Sequence, residues 1–151
     1  MNDLRRKRLE ELKNKSKVKA QEIDWENNEL LQECIEFTKG KILDREISKQ
    51  IESNIQSKFP FSIGSIDFCQ ISNSNELDLN GIPSDVQIFL DKNCYIMWDN
   101  QDLPLLTANL RNVLAVIDDV TTVSFDTWIV SENYKMVIQY YHDNLVYGII
   151  D

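Results

Sequence analysis

Glycine is scarce in this sequence, with four residues in 151, at positions 40, 64, 81 and 148, and none near another. A phosphate-cradling loop needs several glycines within a few positions so that backbone N–H groups can close on an anion, so the usual nucleotide-binding loops are excluded. Histidine is scarcer: His142 is the only one, and no serine or cysteine motif stands beside it. No nucleophile-and-base pair is therefore legible, and His142 is assigned a turn or cross-strand role. The three cysteines, Cys34, Cys69 and Cys94, are odd in number and far apart. Such spacing fits reduced, mostly buried thiols rather than a disulfide framework or a zinc site, and no cofactor or metal is expected. The chain also lacks an apolar run with a small-residue cleavage site at its start, and any stretch suited to spanning a bilayer. The expectation is a cytoplasmic protein without a membrane partner.

Basic residues are nearly missing from the second half. From Ile66 onward thirteen acids face only Lys92, Arg111 and Lys135, whereas residues 1–22 carry eight Lys or Arg against four acids. With a net charge of −9 overall, the chain beyond residue 22 carries −13, because −9 less the +4 of the first segment is −13. A surface of this sign repels nucleic acid, so no direct nucleic-acid contact is expected. It attracts basic partners and speeds their encounter; nucleases and ribosome-directed toxins are partners of that type. Acidity also keeps a protein soluble, and composition alone leaves both readings open.

At 151 residues and 42% hydrophobic content the chain is long enough for one core, so a single domain over 1–151 is expected, with residues 1–22 as a basic helical extension. Residues 2–21 hold many helix formers but only a thin apolar stripe of Leu4, Leu9, Leu12 and Val18. Asp24 is the expected cap of a helix burying Leu30, Leu31, Cys34 and Ile35, with Gly40 as its stop. A further helix over 44–57 places Ile47, Ile51 and Ile55 at four-residue spacing, and the two helices are expected to cover one sheet face. Phe59-Pro60 marks the switch to sheet. A first strand is expected over 66–71, then a polar loop over 72–83. Residues 86–91 and 94–98 read as a hairpin about Lys92-Asn93, pairing Leu90 with Tyr95 and Gln87 with Trp98. Thr107 or Asn109 caps a short helix carrying Leu110, Val113, Leu114 and Ile117. Asp118 and Asp119 would follow its last turn, where the macrodipole disfavours carboxylates.

The clearest strand signals lie in residues 121–151. Residues 122–130 alternate, with Val123, Phe125, Thr127 and Ile129 facing one way and Ser124, Asp126 and Trp128 the other. Runs 136–141 and 145–150 make a hairpin; with Asp143-Asn144 as the loop, Tyr140 faces Tyr147, Ile138 faces Ile149 and Tyr141 faces Val146. Both faces of this pair are apolar, so both need cover. Helical and strand signals are segregated along the chain, and the fold class is α+β: N-terminal helices packed on an antiparallel sheet of five to six strands.

The candidate partner-binding set is Asp126 and Trp128, with Asp118, Asp119 and Glu132 near the edge of the same surface. A tryptophan among carboxylates has the make-up of an anchor inside a charged rim. The competing reading is that a loop or helix simply buries Trp128. Asp126, Glu132 and Lys135 resemble the acid and lysine set of metal-dependent nucleases, but the lysine follows Glu132 by three positions instead of two, and an acidic nuclease would repel its substrate. Asp118, Asp119 and Asp126 are weighed as a cation site, against the commoner acidic turn. The chain is expected not to be an enzyme.

The stretches YIMWD at 95–99, NVLAVIDDV at 112–120 and FDTWIVSENYKMVIQYYHD at 125–143, together with Gly148, resemble small bacterial immunity proteins of polymorphic toxin and contact-dependent growth inhibition systems. The resemblance implies a cytoplasmic antitoxin that binds the C-terminal toxin domain delivered by a neighbouring cell, commonly a nuclease, and blocks it without chemistry of its own. An intracellular adaptor or regulatory interaction domain, with a basic helix and an acidic sheet serving different partners, is the alternative.

Overall fold

The computed structural model describes residues 28–151 and the single residue Lys7. The expected Asp24 cap and the basic extension over 1–22 lie outside the described residues, Lys7 excepted. The fold is α+β, as the segregated signals imply: residues 28–151 form five helices and an antiparallel sheet of seven strands, wider than expected, with a separate two-stranded hairpin. No described helix is long and apolar enough to cross a membrane.

Helix α1, Glu29–Thr38, starts at Asn28, whose side chain accepts the Leu31 N–H at 3.1 Å. It ends at Lys39, in the left-handed region at φ 55°, while the Gly40 N–H reaches back to the Ile35 carbonyl at 3.1 Å. This is a Schellman-type end, and Gly40 closes it without taking the left-handed position itself. The chain then passes along the sheet edge as β1, Lys41–Ile42, and enters α2, Arg45–Lys58, capped by Asp44.

That edge passage decides the layering. Leu31 and Cys34 of α1 join a core on one face of the sheet, with Ile96, Leu106, Ile129 and Ile138. Ile51 and Ile55 of α2 join a second core on the opposite face, with Met97, Trp128, Val130 and Val137. The two N-terminal helices therefore cover opposite faces, not one. Within α2, Ile47 is exposed and Ser48 is buried in its place, bonding the Leu43 carbonyl at 3.2 Å and accepting the Leu105 N–H at 3.3 Å. Four-residue spacing drifts by about 40° per step on a helix of 3.6 residues per turn, so a third isoleucine leaves the buried stripe.

Residues 66–71 do not form a strand. Phe61–Ser62 (β2) and Ser65–Ile66 (β3) form the separate hairpin, and Phe68–Gln70 a single 3-10 turn. The expected polar loop instead holds β4, Asn73–Glu76, an edge strand paired with residues 146–149 near the end of the chain. Nor do residues 86–98 form a hairpin. Ser84–Gln87 is a helical turn, α3, whose Val86 is buried, and Phe89 and Leu90 follow it into the core. Strand β5, Asn93–Trp98, pairs with β6, Leu106–Asn109, and with β7, Thr127–Ser131. Asn109 caps α4, Leu110–Ala115, as one of the two expected caps.

A break at Val116 starts α5, Ile117–Thr121, so Asp118 and Asp119 fall in a first helical turn, where the macrodipole favours carboxylates. The conflict read from the sequence disappears. Strand β7 begins only at Thr127, and residues 122–126 form a loop. Strands β8, Met136–Tyr141, and β9, Asn144–Ile149, turn through His142 and Asp143, both at positive φ, 49° and 66°. The loop sits one residue earlier than expected, so Tyr140 faces Leu145 and Ile138 faces Tyr147. Each partner moves by two positions, which leaves every side chain on its expected face. The full strand order is β1-β6-β5-β7-β8-β9-β4.

Candidate protein-interaction surface

Trp128 lies in the second core, 5% exposed, beneath the β2–β3 hairpin. Its indole N–H donates to Gln139 Oε1 at 2.8 Å, and the ring packs at 6.1 Å from that of Phe61. Gln139 is itself buried and both its polar atoms are bonded: Oε1 also accepts the Ile66 N–H at 2.9 Å, and Nε2 donates to Ser65 Oγ at 2.7 Å. The face that reads as polar in the sequence is covered by this hairpin, with Gln139 satisfying the indole. Trp128 therefore acts on the surface only through the element that covers it.

The carboxylates divide. Asp126 and Glu132 flank β7, separated by six positions, about 20 Å at the rise of a strand. Lys135 follows Glu132, so the nuclease-like set is not brought together. Glu132 meets Thr107 Oγ1 at 3.5 Å, and its charge adds to the burial that pushes the Cys94 thiol up to about 12. Asp119 is half-buried, and its charge adds to the burial that raises Cys34 to about 12. Among the described residues no group of three metal-ligating side chains assembles.

Asp118 and Asp126 do converge, on one end of the sheet. Two adjoining clefts lie there, of about 410 and 620 Å³. The smaller is lined by Glu76, Asp78, Asp118 and Asp143 among others; the larger runs over residues 121–126 to His142 and includes Phe125 and Asp126. Thr121, Tyr140 and Asp143 line both. No lysine or arginine is among the described residues lining either one.

Local structure holds this end in shape. Asp99 braces the 122–126 loop, its Oδ1 accepting Ser124 Oγ at 2.6 Å and the Asp126 N–H at 3.0 Å. Trp98 Nε1 donates to the Val120 carbonyl at 3.0 Å and ties α5 to the sheet. Tyr140 donates its hydroxyl to Asp143 Oδ1 at 2.8 Å across the β8–β9 turn. Burial, and then the charge of Asp99, raise the Asp126 carboxyl above its usual range, while His142 pulls it down. Phe125 is 89% exposed at the mouth of the larger cleft, and Tyr141, also exposed, carries the His142 ring at 3.9 Å.

Phe125 is the residue that sequence reading misses, because strand alternation assigns it to the face of Thr127 and Ile129. Its neighbours Ser124 and Asp126 are the available signal, marking a loop instead of a strand start. Glu76, Asp78 and Asp143 are legible as acids but not as neighbours, since only the sheet brings them to one end.

An acidic cleft carrying an exposed aromatic ring has the composition of a protein-docking surface. Fold and surface together describe a protein-binding domain. The chain belongs to the family of the CdiI immunity protein, EcoliA0-like, whose family model matches residues 28–148. Membership implies an immunity protein of contact-dependent growth inhibition, which binds a cognate toxin and neutralises it. No curated protein matches the chain.

Proposed function

We propose that the protein neutralises its toxin in the cytoplasm by covering a basic, nuclease-type C-terminal toxin domain with the acidic end of its sheet. It does so without chemistry of its own. One observation carries the reading: two adjoining clefts, the smaller lined by Glu76, Asp78, Asp118 and Asp143 and the larger by Asp126, Asp143 and exposed Phe125, have no lysine or arginine among the described residues of their lining. Such a surface steers a basic domain into place, and an apolar ring inside a charged rim then limits its escape. Asp118 and Asp126 are the members of the sequence-derived set that contact the toxin; Trp128 supports the covering hairpin, and Asp119 and Glu132 lie outside the contact.

Titration of the toxin domain against the wild type, Asp118→Lys/Asp126→Lys and Phe125→Ala tests this. The charge reversal is expected to slow association and flatten its salt dependence. Phe125→Ala is expected to cost about 2 kcal/mol of affinity, roughly thirtyfold in Kd. If both variants fold and bind as the wild type does, the acidic end is not the docking face.

A further inference from the structure

The β2–β3 hairpin turns through Ile63 and Gly64, and both have positive φ, 51° and 73°. Two-residue hairpin loops of type I′ need this backbone at both central positions, which is why Asn-Gly and Asp-Gly dominate them. The β8–β9 turn of the same chain follows the rule with His142 and Asp143, two of the non-glycine types that tolerate the left-handed region. Isoleucine does not, because its branched side chain crowds the backbone there. Ile63 is also fully exposed, so burial returns nothing for the strain. Single exposed apolar residues are ordinary on protein surfaces. Leu30, Ile47 and Ile88 are of that kind, and none has positive φ. Among the described residues, Ile63 alone of the exposed large hydrophobics combines exposure with a backbone its side chain resists.

The hairpin that carries Ile63 is firmly rooted. Gln139 holds Ser65 and Ile66 at 2.7 and 2.9 Å, and the Asp67 N–H closes the base onto the Pro60 carbonyl at 2.7 Å. The six residues from Phe61 to Ile66 include no charged side chain, in a chain that is 27% charged. A strained, apolar tip on an anchored, uncharged stalk is costly to the monomer, and such local strain is characteristic of sites that act on something else.

We infer that Ile63 is a contact residue, held out as an apolar knob that enters a hydrophobic hollow on the toxin domain. The inference rests on the toxin-binding reading and adds an uncharged contact to the acidic one. An uncharged contact governs dissociation and is insensitive to salt, whereas the acidic clefts govern association and are not.

The test uses the full chain and its cognate toxin domain. Ile63→Asn creates the preferred Asn-Gly turn, so its Tm is expected to rise by roughly 2–4 °C. Its Kd for the toxin is expected to rise about tenfold or more through faster dissociation, by the same factor at low and high salt. Ile63→Met, apolar but unbranched at Cβ, is expected to keep wild-type affinity. Wild-type binding by Ile63→Asn overturns the inference, as does a lowered Tm. So does a loss of self-association with toxin affinity unchanged, which would assign the knob to a second copy. Failure of the wild type itself to bind the toxin would sink the functional reading beneath it.

Discussion

Replacing Trp128 by alanine should damage the fold before it damages anything else. The side chain is 5% exposed, packs against Phe61 and donates its indole N–H to Gln139 at 2.8 Å. Its removal leaves Gln139 Oε1 still bonded to the Ile66 N–H at 2.9 Å, so no buried acceptor is orphaned and the loss is mainly packing. Large-to-small changes of this size cost about 3–5 kcal/mol, a large share of the 5–15 kcal/mol typical of a domain. Trp128→Phe, which keeps most of the ring, should cost much less. Gln139→Leu takes the other side of the bond: it strands two buried donors, the Trp128 and Ile66 N–H groups, at about 1–3 kcal/mol each. Urea unfolding of the three variants measures these losses, and hydrogen exchange reports whether the amides of residues 61–66 open first. A Trp128→Ala protein that unfolds within about 1 kcal/mol of wild type, with unchanged exchange at the hairpin, would refute the reasoning.

Three other outcomes follow from the same geometry. Thr127 Oγ1 is buried without a hydrogen-bond partner, so Thr127→Val, which replaces the hydroxyl by a methyl of similar size, should stabilise the fold by about 1 kcal/mol in thermal or urea unfolding. Burial and Asp99 raise the folded-state pKa of Asp126, so the folded form binds more protons than the unfolded one and stability falls as pH rises between the unfolded and folded values. Asp126→Asn should therefore raise Tm at neutral pH and lessen that pH dependence while weakening toxin binding; a lower Tm would count against the assignment. Burial pushes Cys34 and Cys94 up to about 12, whereas Cys69 is exposed, so a thiol reagent at neutral pH should label one of the three cysteines rapidly and the others only on unfolding.

Much of this protein was decided locally. Helix α2 begins at an Asp cap and contains Ile51 and Ile55 on one stripe, features that need no knowledge of the rest of the chain. The runs of β8 and β9 are equally local, and their faces survive the change in pairing because a shift of two residues preserves strand parity. The scarcity of base beyond Ile66, which makes that part of the chain strongly acidic, is a matter of composition alone.

What the sequence by itself could not decide is which surfaces are covered. Trp128, Asp126 and Ser124 read as one polar face, yet the β2–β3 hairpin and a single glutamine bury the first, while β7 starts only after the other two. The layering turned on β1, a two-residue edge strand too short to leave a periodic signal, which sends α1 and α2 to opposite faces. Likewise Glu76, Asp118 and Asp143 come from a strand, a helix and a turn far apart in the chain, and only sheet order brings them to one cleft. Periodicity reports how a segment meets its own neighbours in the chain. Cover and convergence depend on contacts between distant segments, and those are set when the tertiary fold forms.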